Sequence, residues 1–543
     1  MSFHSTRGRI GLAIGALGAT ALVLAGCATS STGGNGGSGG SSSTITVGTT
    51  DKITSLDPAG SYDNGSFAVM NQIYPFLMSS KPGSAEVTPD IAESAKFTTP
   101  TEFTVKLKKG LKFANGDALT SASVKFSFDR MVKINDPNGP ASLLGNLAST
   151  AAPDDTTVVF TLKNGNDQIW PLILSSPAGP IVDEKVFSAD KVTTDDAIVK
   201  GKAFAGQYQI TDYKLNQLVA YKPYSGYQGN LGKPANAGVN VKYYADASNL
   251  KLAIGKGDID VAYRSLSATD IDDLSKNKKV KLVEGPGGEI RYIVFNFDTM
   301  PYGAKTPEAD SAKSLAVRQA AADLVDRSAI AKDVYKDTYS PLYSYVADGM
   351  TGATTVLKSM YGDGSGKPSL DKAKKALADA GVQTPVTLNL QYNGDHYGPS
   401  SGDEYAAVKA QLENGGLFKV NLQTTEWVQY TKERTADVFP AYQLGWFPDY
   451  SDADNYLSPF FTTDNFLHNH YANQAVNDLI VKQATETDKD KRTADIQQIQ
   501  DMVAKDLSTL PLLQGKQIAV VGSGVNGTTL DASFKFRYAS ISK

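Results

Sequence analysis

A single cysteine, Cys27, is all that this chain of 543 residues contains. No disulfide can close within it, and no thiolate-based metal centre can form. Histidine is almost as scarce, with four in total, and His4 lies in the extreme N-terminal segment. A hydrolase would want a strained elbow to present its serine and a well-placed histidine to activate it, and with histidine this scarce a hydrolase is the weaker reading. His468-Asn469-His470 puts two rings on one face only if that segment is an extended strand. A loop there would remove the one two-histidine metal site the sequence offers, and a nickel ligand is disfavoured with it. Acidic residues outnumber basic ones by 57 to 53, so no polyanion-binding surface is expected and nucleic acid is excluded as a partner. No long apolar run follows the N-terminal one, no repeat is evident, and no linker composition appears after Ser43.

What is present begins at the N-terminus. Arg7 and Arg9 precede an uncharged stretch from Ile10 to Ala25. That stretch is shorter than the roughly 20 apolar residues a membrane span needs, and residues 1–26 read as a signal peptide. Its end, Leu24-Ala25-Gly26-Cys27, resembles a bacterial lipobox. The resemblance implies cleavage before Cys27, acylation of its thiol (a palmitate-type anchor) and a place on the extracytoplasmic face of the cell membrane. Residues 28–43 are almost all Ser, Thr and Gly, so 27–43 is expected to be a lipidated Cys followed by a flexible tether. Loss of 1–26 removes two arginines and no acid, which leaves the mature chain at −6.

The remaining 500 or so residues are enough for two or three lobes around sizeable cores. Thr44-Ile45-Thr46-Val47 alternates as a strand does. Phe103 to Leu107 alternates again, with Leu111-Lys112-Phe113 as a second strand piece beyond Lys109-Gly110. Thr156 to Leu162 is another strand. Val317, Ala321, Leu324 and Val325 share one helical face. Ser369 opens a helix with the stripe Leu370, Ala373, Leu377 and Ala380, closed at Gly381, with Asp371 and Lys375 paired on its wet side. Ile496, Ile499, Val503 and Leu507 mark a late helix that Pro511 should stop. Strands and helices alternate, so the fold class is α/β or α+β.

Several segments, in order, resemble family 5 of the extracellular solute-binding proteins, which serve oligopeptide, dipeptide, nickel and some sugar importers. They are Ser55-Leu56-Asp57-Pro58-Ala59, Phe103 to Arg130, Gly255 to Val261, Val317 to Ile330, Gly445 to Leu457 and Leu510-Pro511-Leu512. Ser123 departs from the acidic residue usual at its position, which in the family caps a helix. The resemblance implies an α/β periplasmic-binding-protein-like fold of type II, in the large peptide-binder subclass. Two main lobes would close on a hinge, with a third lobe inserted. Lobe I would comprise 44–80, 201–285 and 510–543, lobe II 81–200, and lobe III 286–509. The implied function is capture of a peptide between lobes I and III and its delivery to the permease subunits of an ABC importer. The implied state is a monomer without cofactor or metal, and without enzymatic activity. An oligosaccharide is the alternative cargo, since aromatic platforms and carboxylates also suit sugars.

The chemistry concentrates in Thr425 to Leu457, which carries Trp427, Arg434, Trp446, Asp449, Asp452 and Asp454. A ligand ammonium taken out of water must be paired, and a carboxylate does this while fixing register. The resemblance places that role on Asp449, and places Trp427 and Trp446 in side-chain pockets. Asp452 and Asp454 read as turn or cap residues, and the calcium-loop spacing lacks its Gly and closing Glu. By the resemblance Gln443 stands where the oligopeptide binders carry an Arg, which leaves either Arg434, Arg291 or Arg264 to meet a ligand carboxylate or a ligand that has none. Tyr292 and the loop Tyr62-Asp63-Asn64 border the cleft by the same resemblance.

Overall fold

The computed structural model describes residues 43–543 except 85, 265, 395, 399, 464 and 531–534. The signal peptide, Cys27 and the tether therefore lie outside the described residues. Two large mixed sheets organise the described chain. A seven-stranded sheet runs in the order Val280–Gly285, Gln517–Gly522, Val261–Tyr263, Thr44–Thr49, Gly238–Tyr243, Leu218–Pro223, Tyr208–Lys214. A six-stranded sheet runs Tyr339–Pro341, Thr509–Gly515, Ile290–Phe295, Ala441–Trp446, Val386–Tyr392, Phe418–Thr424. An antiparallel four-stranded sheet, built from strands between Ala92 and Leu162, has its own core around Phe128, Phe160 and Trp170.

The sequence patterns account for these elements. Ile45 and Val47 point into the core from the alternating strand Thr44–Thr49, which pairs in parallel on both sides. Every residue of Ile290–Phe295 is buried, as expected of a central strand covered on both faces. Val317, Ala321, Leu324 and Val325 are all buried along the helix Ser311–Leu324 and its C-cap. Ser369 caps the helix Leu370–Asp379 by accepting from the Lys372 N–H, and Gly381 takes a left-handed φ of 66° just beyond it. Lys375 has an acid at i−4 and at i+4, and its ion pair forms with Asp379 at 2.6 Å rather than with Asp371.

Four local expectations are corrected. Leu111–Phe113 forms only an isolated bridge, Lys112 to Ala118. Ser123 does not cap its helix; Thr120 does, and Ser123 closes the capping box from the third helical position. The helix Lys489–Asp506 ends at Leu507 in a left-handed conformation, ahead of Pro511. Pro511 instead lies inside the strand Thr509–Gly515, opposite Tyr292, where the register shifts between Arg291 and Tyr292. A residue without an N–H is tolerated at such an irregularity. That strand pairs within the six-stranded sheet, so the C-terminal handover between sheets falls at Lys516, not at residue 510.

The chain passes between the two large sheets twice, through Pro286–Glu289 and through Lys516. The crossings touch. The Gly515 N–H donates to the Glu289 carbonyl at 2.9 Å, and Gln514 Nε2 donates to the Gly287 carbonyl at 2.6 Å. A Cβ on Gly287 would fall far inside contact distance of the Gly515 carbonyl oxygen. A different tie holds the four-stranded sheet to the seven-stranded one. Arg130, on the helix Ser121–Ile134, grips Asp57 with two bonds of 2.8 Å, and both side chains are buried. Asp57 also accepts the Ala59 N–H at 2.9 Å and the Thr193 N–H at 2.7 Å. Gly287→Ala should destabilise the protein by about 2–3 kcal/mol through overpacking, read as a fall in melting temperature by calorimetry, while Gly524→Ala, which meets no neighbouring atom and has no left-handed φ, should cost clearly less.

Candidate ligand-binding site

A cavity of about 350 Å³ opens between the two large sheets, beside the crossings. Tyr263, Arg264 and Ser267 line it from the seven-stranded side, and Arg291, Tyr339 and Phe447 from the other. The volume lies within the range of small-ligand sites, about 300–1,000 Å³. Arg264 adopts a left-handed φ of 63° and sets its guanidinium 5.3 Å from the Phe447 ring centre. This contact spans the gap between the sheets.

Arg291 is committed to the protein itself. Its Nε donates to Glu289 at 3.1 Å, and Nη1 to Tyr335 at 2.7 Å and Glu404 at 3.3 Å. Nη2 donates to the Tyr339 hydroxyl at 3.0 Å and the Tyr397 carbonyl at 2.8 Å. Glu404 is fully buried; burial pushes its carboxyl up, and Arg291 and Tyr335 pull it back only in part.

Asp449 lies on the loop between the strand Ala441–Trp446 and the helix Asp454–Phe461. Tyr62, just before the helix Asn64–Ile73, donates its hydroxyl to Asp449 Oδ1, and so joins the seven-stranded side to the six-stranded side. Asn455 serves Asp449 twice. Its Oδ1 accepts the Asp449 N–H at 2.9 Å, and its Nδ2 donates to Asp449 Oδ2 at 3.2 Å. Trp446 Nε1 donates to the same Asn455 Oδ1 at 2.9 Å. Burial raises the Asp449 carboxyl above its ordinary 3.8, against the hydrogen bonds from Tyr62 and Asn455. Burial, and then the Asp449 charge, push the Tyr62 phenol well above 10.

The structure thus gathers Asp449, Trp446 and Tyr62 at one place, which is off the cavity wall and reaches it through Phe447, the neighbour of Trp446 in the chain. Trp446 is half-buried, edge-on to Phe460 at 5.0 Å and near the exposed Phe466 at 5.7 Å. Trp427 stands one layer back, stacked at 3.8 Å on His396, which lines the cavity. The other expected residues lie elsewhere. Arg434 is buried and donates to the Phe466 carbonyl at 3.1 Å and the Leu467 carbonyl at 3.5 Å, so it braces a loop. Tyr292 is 2 % exposed in the core of the six-stranded sheet, its hydroxyl without a hydrogen-bond partner. Asp63 caps the helix Asn64–Ile73 by accepting the Ser66 N–H at 2.8 Å. Gln443 is fully buried between the Asn393 N–H and Ser401.

The acidic run separates into distinct roles. Asp452 is held by Arg492 through bonds of 2.9 and 2.7 Å, and Asp454 is buried among Tyr450, Ser458 and Gln483. His468 and His470 both have left-handed φ, 53° and 61°, so they share no strand face. His470 instead sits 2.6 Å from Asp437 and 3.4 Å from Asp298, with Lys305 2.7 Å from Asp298 as a cation already in place. Sequence reasoning missed Asn455, Phe447, Glu289 and Tyr339. Asn455 and Phe447 carried a signal, as an amide and an aromatic inside the Gly445–Leu457 segment; Glu289 and Tyr339 carried none.

Two mixed α/β sheets joined by paired crossings, with a ligand-sized cavity at the joint, define a periplasmic-binding-protein-like fold of type II. The chain belongs to the bacterial extracellular solute-binding proteins, family 5, whose profile matches residues 86–467. It is 25% identical over 488 residues to DdpA of Escherichia coli K12, a probable D,D-dipeptide-binding periplasmic protein, covering 87% of this chain and 89% of that one. It is 26% identical over 495 residues to heme-binding protein A of Haemophilus influenzae, covering 85% of each. Its fold matches that of the ABC transporter-associated periplasmic binding protein DppA of Helicobacter pylori, solved with the peptide STSA, at a TM-score of 0.72 and 18% identity over 92% of this chain and 98% of that one. Among the described residues no helix is long and apolar enough to cross a membrane.

The raised carboxyl of Asp449 has a measurable cost. A folded-state value above 3.8 means that folding is penalised once the group ionises, and that the penalty vanishes at pH below the unfolded value. Asp449→Asn should therefore melt at a higher temperature than wild type at pH 7, and the gap should close as pH falls below 3.8, followed by calorimetry across pH.

Proposed function

We propose that this protein captures a short peptide with a free amino terminus in the cavity between its two large sheets, as the extracytoplasmic binding component of an ABC importer. The observation that carries the reading is Asp449. It is a carboxylate raised by burial, reached by Tyr62 from across the gap and flanked by the half-buried Trp446. A ligand ammonium is the natural charged partner for such a group, since a buried carboxylate left unpaired is costly. Trp446 and Phe466 offer flat apolar area beside it for a side chain of varied size. The volume of about 350 Å³ suits two or three residues better than a long chain. The dipeptide and peptide ligands in the names of DdpA and the solved DppA structure support the same class.

Of the three arginines open to a ligand carboxylate, Arg434 braces a backbone loop and Arg291 spends its donors on the protein. Arg264 stands on the cavity wall against Phe447, with Asp51 3.9 Å away, and that place on the wall is what supports assigning it the role. The sheets act as lobes that close on the paired crossings, with the peptide taking over the contact that Tyr62 makes to Asp449. Acylation at Cys27 and the tether 28–43 would hold this monomer beside its permease, free to open, close and dock.

Asp449→Asn should cost roughly 2–5 kcal/mol of peptide affinity by calorimetry, and N-acetylation of the peptide should cost a comparable amount. Equal affinity of both proteins for the free-amino peptide would reject the assignment. Native mass spectrometry of protein purified without refolding should reveal a retained mass equal to a short peptide; a sugar mass would reassign the cargo.

A further inference from the structure

Asn455 is 2 % exposed and is the second residue of the helix Asp454–Phe461. Its one amide meets both Asp449 and Trp446. Oδ1 takes the Trp446 indole N–H and the Asp449 backbone N–H, each at 2.9 Å, while Nδ2 donates to Asp449 Oδ2 at 3.2 Å. Chemistry dictates this orientation. The indole and peptide N–H groups only donate, and a carboxylate only accepts. A flipped amide would set donor against donor and oxygen against carboxylate. The base beneath the amide is rigid as well. The Asn455 N–H donates to the Asp452 carbonyl at 3.2 Å, and the Asp452 carboxylate is clamped by Arg492.

We propose that Asn455 is the positioning residue of the ligand site, selecting the Asp449 oxygen that faces a ligand ammonium and fixing the Trp446 indole next to it. The proposal rests on the reading of Asp449 as the ammonium acceptor. With Oδ2 bound by Asn455, Oδ1 is the oxygen that meets Tyr62, the contact a ligand ammonium would take over. The same amide opposes neutralisation of Asp449, because a donor to the carboxylate favours its charged form. Trp446 and Asp449 are therefore placed by one side chain, and the spacing between an ammonium and the aromatic surface beside it is fixed.

The test uses full-length protein and two variants. Asn455→Ala removes all three bonds; Asn455→Asp keeps the shape and sets a second carboxylate against the first. In ligand-free protein, the indole N–H signal of Trp446 (identified by its loss in Trp446→Phe) should move in both variants. The carboxyl carbon signal of Asp449 (identified by its loss in Asp449→Asn) should titrate at higher pH in both. Trialanine affinity of Asn455→Ala should fall on the order of tenfold, the worth of a hydrogen bond to a charged group. A folded variant with the indole signal and the Asp449 titration unchanged would overturn the proposal. If Asp449→Asn binds trialanine as wild type does, the ammonium reading falls, and the two signals still decide the role of Asn455. If Asp449→Asn loses binding while Asn455→Ala keeps its affinity and both signals, the positioning role alone falls.

Discussion

The backbone contact between the two crossings is the constraint on which the arrangement depends. Gly287 lies so close to the Gly515 carbonyl that no side chain fits between them. The Gly515 N–H and the Gln514 amide then tie the two crossings together. Two separate linkers would let the large sheets drift in any direction. Two linkers bonded side by side form a short ribbon, which resists sliding and twist more than it resists bending. The cavity lies against this ribbon, with Glu289 contributed by one crossing and Lys516 by the other. The cavity and the joint between the sheets thus share the same residues.

Around that ribbon, charges are sorted by whether the protein already answers them. Arg291 has Glu289, Glu404 and three tyrosine groups; Arg434 has backbone carbonyls; Asp452 has Arg492. Each is an internal tie. Asp449 differs: its partners are a phenol and an amide, neither of which carries an opposite charge. Burial without a counter-cation raises its proton affinity, a standing cost to stability. Costs of this kind concentrate at functional sites.

Much of the fold could be read from the chain because apolar spacing and surface burial are the same fact seen twice. Ile45 and Val47, the stripe ending at Val325, and Ile496, Ile499 and Val503 are all buried as their periods demand. What could not be read depends on pairing at long range. Thr509–Gly515 carries the same apolar signal whichever sheet it joins, and only its ladder with Ile290–Phe295 decides. The site follows the same division. That Asp449 and Trp446 stand together follows from the Gly445–Leu457 motif that carries both, whereas Tyr62 joins them only through the fold. Arg434 and Tyr292 were misplaced because a motif does not say which way a side chain turns. Glu289 and Tyr339 had no local signal at all, since they meet the cavity only through the crossings and the neighbouring edge strand.

The buried pair of Asp57 and Arg130 has a mechanical consequence. Both oxygens of Asp57 are filled by guanidinium and backbone N–H groups, and Arg130 also holds the Ser188 carbonyl at 2.8 Å. Separating the four-stranded sheet from the seven-stranded one would strand an unpaired charge on each side, which costs several kcal/mol. Those two sheets are riveted into a single rigid jaw. Of the three larger sheets among the described residues, only the six-stranded one then lacks such a tie, so any relative motion of the sheets would fall on the joint at the crossings.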